Sequence, residues 1–351
     1  MTKGLYITTA NLSTEGGGDV VSLHESNALS KFCDGDIDIF TASVVPDDIK
    51  SQPFMWDFTM SMKINKKYDV AVFNGHPFHR TIGTLKYLNP DIKIVTCVPA
   101  HNLEHSIEEH HKLGIPYEQL YPHMCGAQFY EYATQETLAD AVVYPSKYSM
   151  DYLSKKLSLK NRQLVIPHGC NTLPTYPSYP SIPHIGYIGA LGADKGITYL
   201  LQAMSKLRGS KLTLYGKQTE SARASIVAKN VSVYGGYGSL DEIMPKISVG
   251  VFPSATEGFN LGALECMSYG RPIIISEGAG FAEYVTDGVN GLVVPRCNVD
   301  VLIDSMKYFV DNPDSVASMG KKAYEFSKLL QWSDVESEYG KLFKSVLEGK
   351  S

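Results

Sequence analysis

Residues 249–276 read VGVFPSATEGFNLGALECMSYGRPIIIS. A β-branched run, Val249–Phe252, stops at Pro253. A loop carrying Glu257 and Gly258 follows, then a helical pattern over Leu261–Tyr269. A second apolar run, Pro272–Ser276, completes the stretch. Strand, helix and strand in this order make a βαβ unit, whose strands lie parallel in one sheet.

The same rhythm extends outward. Ile185–Ile188, Lys211–Tyr215, Val231–Tyr234 and Gly291–Val294 read as strands, and Gly196–Arg208 as a helix. Upstream, Leu5–Thr9, Asp36–Phe40, Asp69–Asn74, Lys93–Val98 and Ala141–Pro145 are strand candidates, with a helix from Val20 to Phe32. Between the two sets lies NTLPTYPSYPSIP, Asn171–Pro183, whose four prolines continue neither a helix nor a central strand. The expected class is α/β, with two Rossmann-like doubly wound domains facing a cleft. The first covers 1–170, the linker 171–183 and the second 184–333. An amphipathic helix within 334–351 is expected to pack back on the first domain. Ligands of such sheets bind beyond the carboxyl ends of the strands.

Composition agrees with this size. A chain of 351 residues exceeds the usual single core. Hydrophobic residues at 44% and charged residues at 20% exclude a largely disordered chain and a membrane channel. With 32 basic and 37 acidic residues the net charge is -5, so no global basic field draws the chain to nucleic acid or anionic lipid. The apolar start, Gly4–Ile7, is too short for a signal peptide core. No apolar run reaches membrane-spanning length. Six scattered cysteines without a C-x-x-C pair read as reduced thiols of a cytoplasmic protein.

Glu257 and Glu265 have seven residues between them, one in the loop and one more than a turn inside the helix. Both can point at a ligand near the helix N-terminus. There the backbone N–H groups of Gly258, Phe259, Asn260 and Leu261 form an anion site. Two carboxylates for two polyols and amides for a phosphate suit a nucleotide sugar. A capped surface helix with two solvated glutamates is the plainer alternative. In IGYIGALGADKGITYLLQAM, residues 185–204, Gly189 ends a strand and Lys195 precedes a helix, where it can neutralise a phosphate or be a surface lysine. Gly16, Gly17 and Gly18 follow the first strand and permit close backbone approach to a phosphate or sugar. They form neither a Walker loop nor G-x-G-x-x-G.

His101, Glu104 and His105 spell H-x-x-E-H, an order used by some zinc proteases. That chemistry needs the segment on a helix and a third ligand elsewhere. Here His101 follows a strand and Pro99 directly. A loop imidazole that hydrogen-bonds a sugar hydroxyl is the favoured reading. Lys147, Lys155, Lys156, Lys160 and Arg162 form a basic stretch. A solvated face accounts for it, and an anionic acceptor or peripheral membrane contact is the alternative.

Together these segments resemble the retaining glycosyltransferases of family 4, a GT-B group. The resemblance is carried by E-G-F-N-L-G-A-L-E (257–265), the S-x-G-x-P that spans Ser268 to Pro272, and E-Y-V-T-D-G-V-N-G-L-V-V-P (283–295). D-K-G (194–196), V-I-P-H-G (165–169) and A-D-A-V-V-Y-P-S (139–146) extend it. It is specific from about 185 to 296 and looser before 172. It implies a UDP-sugar or, next, a GDP-sugar as donor, an unnamed glycan, lipid-linked or small-molecule acceptor, and no metal or other cofactor. Glu257 would contact the donor sugar, Glu265 the ribose and Lys195 the diphosphate. Gly17 and Gly18 would close over the phosphates, and His101 would sit by donor and acceptor. Gly216, Tyr234 and Gly235 would lie near the base. The family's arginine after the glycine at 189 is Ala190 here, for which Lys217 is a candidate substitute, and its glycine after E-G-F is Asn260. A nucleotide-sugar epimerase and a non-catalytic nucleotide-sugar-binding module are the competing readings.

Overall fold

A computed structural model of the chain describes residues 2–13, 16–46, 53–75, 78–98, 108, 111–112, 134–176, 184–192, 194–207, 209–216, 230–236 and 238–349. The chain divides into two compact units. One comprises Met1–Ala100, Pro116–Pro167 and Ser333–Ser351, the other His101–Ile115 and His168–Trp332.

The first unit is built on a six-stranded parallel sheet. Its strands are β1 (Gly4–Thr8), β2 (Ile37–Phe40), β3 (Val70–Asn74), β4 (Lys93–Cys97), β5 (Ala141–Tyr144) and β6 (Arg162–Val165). They lie in the order β2-β1-β3-β4-β5-β6, every pair parallel. Central strands such as β3 bury both faces and therefore read as continuous apolar runs. The sequence reading held no strand at β6. Its RQLV is half-buried along its length at the sheet's edge, where an apolar run is not required. Helix α1 spans Gly17–Phe32, so it begins earlier than Val20. Gly17 and Gly18 thus lie in its first turn instead of a preceding loop, and extended Gly16 precedes it without a side-chain cap. Helices α2 (Pro53–Lys63), α3 (His79–Leu88) and α4 (Lys147–Leu157) are among its described connections. Met60, Phe73, Phe78, Ile82, Leu85 and Val142 are among the residues of the core.

The second unit repeats the plan. Its strands are β7 (Ile185–Ile188), β8 (Leu212–Gly216), β9 (Val231–Gly235), β10 (Val249–Phe252), β11 (Ile273–Ser276) and β12 (Gly291–Val294). The order is β12-β11-β10-β7-β8-β9, again all parallel. Helix α5 (Ile197–Lys206) buries Ile197, Leu200, Leu201 and Met204, one face at helical spacing. Helices α6 (Leu261–Ser268), α7 (Val299–Asp311) and α8 (Pro313–Ser327) follow. Among the described residues no helix is long and apolar enough to cross a membrane.

The last helix, α9 (Trp332–Leu347), belongs from Ser333 onward to the first unit. Glu336 pairs with His24 Nδ1 at 2.7 Å and with Lys31, both on α1. Tyr339 Oη donates to Glu25 Oε1 at 3.0 Å. Tyr6 Oη and Asn74 Nδ2 each donate to Glu25 Oε2 at 2.7 Å. Glu25 is buried, and that burial raises its carboxyl pKa although these donors oppose the shift. A second buried carboxyl, Glu136, accepts from Thr96 Oγ1 and, at 3.3 Å, from Gln135 Nε2. Burial pushes it up to about 7.

Two expectations follow from these carboxyls. Tyr339→Phe removes a donor from buried Glu25 and lowers the unfolding free energy by about 1–3 kcal/mol, read from urea melts. For Glu136 the folded-state pKa lies above the unfolded value, so the folded state favours the protonated form. Its stabilising contribution is complete below pH 4.5 and is lost as the pH rises through about 7. From pH 5 to pH 8 the wild type should therefore lose about 2–3 kcal/mol more stability than Glu136→Gln. Equal pH slopes for the two proteins would show that Glu136 does not titrate in this range.

Candidate functional site

In the second sheet the chain leaves β7 toward β8 and β9, then returns to the other side for β10, β11 and β12. Connections after β7 and β10 run in opposite directions, which makes their carboxyl ends the topological switch point where open α/β sheets bind ligands. Lys195 and Glu257 lie in those two connections.

The connection after β7 ends in Asp194, Lys195 and Gly196. Gly196 has φ +70° at the start of α5, and a Cβ there would lie 1.9 Å from the carbonyl oxygen of Pro253. Only glycine permits both the left-handed backbone and this approach. The Asp194 carbonyl then accepts the Ala255 N–H at 2.9 Å, fastening one loop to the other. Lys195 Nζ is thereby delivered to Glu257 Oε2 at 2.5 Å, with Asp194 Oδ2 at 3.4 Å. Lysine and glutamate side chains are 19% and 23% exposed, open enough for a ligand to reach and sheltered enough for charge to matter. Burial acts to lower the Lys195 pKa, but Glu257 and Asp194 outweigh it and hold the ammonium well above the ordinary lysine value.

Main-chain bonds fix Glu257. Its N–H donates to Gly278 O at 3.0 Å, and its carbonyl accepts the Gly280 N–H at 2.9 Å. Phe259 O accepts the Phe281 N–H at 2.7 Å. The Phe259 ring is buried against His168, Phe281 and Tyr284, with centroids at 4.9, 5.2 and 5.9 Å. Its side chain is an anchor, so any role toward a ligand falls to its main chain. Asn260 adopts φ +93° and ψ 75°, and its side chain accepts the Ala263 N–H at 3.1 Å, capping α6. The left-handed backbone accounts for the family's glycine at this place. Asparagine tolerates it better than most residues and adds a cap.

Glu265 lies further along α6, half-buried, and burial pushes its carboxyl up to about 7. Its charge contributes, after burial, to raising the Cys170 thiol to about 11. Gly216 and Gly235 are register partners at the carboxyl ends of β8 and β9. A Cβ on Gly216 would lie 1.8 Å from Gly189 O, so the backbones touch there. Tyr234 is 57% exposed and stacks on Tyr215 at 5.2 Å and 14°. At position 190, where the resemblance implies arginine, the Ala190 carbonyl accepts the Tyr187 hydroxyl at 2.8 Å. Gly17 and Gly18 belong to the first unit, and His101, Glu104, His105 and Lys217 lie outside the described residues.

Two residues near the site were not singled out in the sequence. His168, inside V-I-P-H-G, packs edge-on against Phe259, and burial lowers it to about 4, so its imidazole is neutral at neutral pH. Tyr187 is buried beneath the loop that carries Lys195. V-I-P-H-G read only as a family signature with no place in the site, and a lone strand tyrosine gave no signal.

Two parallel doubly wound sheets in one chain define the GT-B fold. Sucrose-phosphate synthase from Thermosynechococcus elongatus shares this fold at TM-score 0.80 and 18% identity, covering 99% of this chain and 100% of that one. HepE of Anabaena in complex with UDP and glucose matches at TM-score 0.73 and 14% identity, covering 98% and 100%. Residues 182–312 match the family model of glycosyl transferases group 1. An uncharacterized glycosyltransferase of Methanocaldococcus jannaschii is 31% identical over 227 residues, 63% of each chain. The chain thus spans less than two thirds of that relative.

Backbone constraints at the site carry two tests of stability. Gly196→Ala should lower the unfolding free energy by at least about 2 kcal/mol, from left-handed strain and collision with Pro253 O. Asn260→Ala should cost about 1–2 kcal/mol, and Asn260→Gly only a few tenths of that amount. Thermal unfolding that ranks glycine below alanine at 260 would contradict the assigned backbone.

Proposed function

We propose that the chain is a retaining glycosyltransferase of the family 4 type. It moves a hexose from a nucleoside diphosphate sugar to an acceptor hydroxyl. The observation that carries this reading is the side-by-side placement of Lys195 and Glu257 at the switch point of the segment that matches the group 1 family model. A cation beside a hydrogen-bonding carboxylate suits a ligand that has a phosphate at one end and hydroxyls at the other. UDP is the favoured nucleotide, in keeping with a fold relative solved in complex with UDP and glucose. GDP is the second candidate.

In this reading Lys195 takes the diphosphate, Glu257 the sugar hydroxyls and Glu265 the ribose. The acceptor oxygen bonds to the anomeric carbon on the face the diphosphate leaves. The carbon–oxygen bond to the diphosphate breaks, and the acceptor's proton passes to the departing phosphate. The protein contributes positioning and stabilisation of the leaving charge. Lys195 and the N-terminus of α6 supply positive potential without a metal. Ala190 favours one competing reading, a module that binds the donor without turning it over, because one cation fewer faces the leaving group.

Incubation with UDP- and GDP-sugars and a panel of acceptors separates the readings. Acceptor-dependent product with the donor's anomeric configuration, seen by NMR, supports the transferase. An isomerised sugar supports an epimerase, and binding without turnover the module. For the transferase, Glu257→Ala and Lys195→Ala should each lower kcat/KM by about 100-fold or more while the thermal midpoint stays within a few degrees. EDTA should leave the wild-type rate unchanged.

A further inference from the structure

We infer that the Lys195–Glu257 ion pair is a latch that a complete nucleotide sugar opens and a bare nucleoside diphosphate does not. It would therefore reclose when the sugar leaves and help expel the diphosphate. The inference rests on the transferase reading above and assigns to the same site a preference between donor and product.

Lys195 Nζ is committed to Glu257 Oε2 at 2.5 Å, with Asp194 Oδ2 at 3.4 Å. These three side chains sum to one negative charge. A phosphate that recruits Lys195 must take it from Glu257. That carboxylate is only 23% exposed, so it cannot recover full hydration where it stands. Main-chain bonds to Gly278 and Gly280 hold the backbone of Glu257 on both sides, so its carboxylate can leave only by side-chain rotation.

What Glu257 needs on losing Lys195 is a hydrogen-bond donor. The sugar of a complete donor offers hydroxyls. The phosphates of a bare nucleoside diphosphate offer only further anionic oxygens, and its ribose hydroxyls are the ones this reading assigns to Glu265. Opening the pair is thus compensated when both halves of the ligand are present, and uncompensated when the phosphates come alone. Ala190 sharpens the effect. With no charge at 190, Lys195 is the sole cation in the sequence from Gly189 to Gly196, so this loop offers the diphosphate no second cation that would leave the pair closed.

Isothermal titration of the full chain with UDP and UDP-glucose, then GDP and GDP-mannose, tests this. Wild type should bind the sugar nucleotide about tenfold more tightly than the matching diphosphate. Glu257→Gln should bind the diphosphate about tenfold more tightly than wild type and lose the preference for the sugar form. Asp194→Asn, which removes a nearby charge but not the 2.5 Å bond, should change diphosphate affinity less than threefold. Glu257→Asp, too short to reach Lys195, replaces Glu257→Gln if the latter does not fold. An unchanged preference in the Glu257 variants, or equal gains from Asp194→Asn and Glu257→Gln, overturns the latch and leaves the transferase reading standing. Wild type that binds none of the four nucleotides overturns that reading and the latch with it.

Discussion

The absence of a side chain at 196 lets the loop after β7 rest on the main chain of Pro253, and the site depends on that approach. Any Cβ there would collide with the Pro253 carbonyl at 1.9 Å. Because the loops touch, Asp194 O reaches the Ala255 N–H, and Lys195 is held across from Glu257 although 62 residues separate them. The ion pair is therefore a product of backbone contact, set at the place where the sheet changes direction. On the far side, hydrogen bonds to Gly278 and Gly280 and the burial of Phe259 hold the glutamate loop in place.

Charge around Lys195 leans to the negative. Position 190 contributes a carbonyl that is already engaged by Tyr187, and two carboxylates share one lysine. Asn260 alters the other edge differently. It keeps the left-handed geometry and ties the first turn of α6 with its own side chain. One departure from the family pattern thus changes the electrostatics, and the other preserves the backbone.

Much of the fold was legible because parallel sheets bury both faces of their inner strands. Runs such as VAVF and IIIS announce themselves in that setting. The edge strand Arg162–Val165 did not, since half-burial places no demand on composition. The glycine-rich start of α1 read as a loop because glycine has low helix propensity, yet Gly17 and Gly18 are helical. Within the site, residue types and spacing singled out Glu257, Glu265 and Lys195. Their partners were not legible. That Lys195 bonds Glu257, and that burial holds Glu265 near 7, depend on tertiary placement that no linear pattern records. Asn260 was visible as a departure, but its reason, φ +93°, was not.

The buried cluster around Glu25 has a bearing on biosynthesis. Tyr339 stands 314 positions after the carboxyl it caps. At ordinary ribosomal speeds, the nascent amino-terminal half waits about 15–60 s for that phenol. In the meantime Glu25, Lys31 and His24 lack their carboxy-terminal partners, and the sheet's flank is open. Synthesis of the residues before 333 therefore leaves this unit without its last helix.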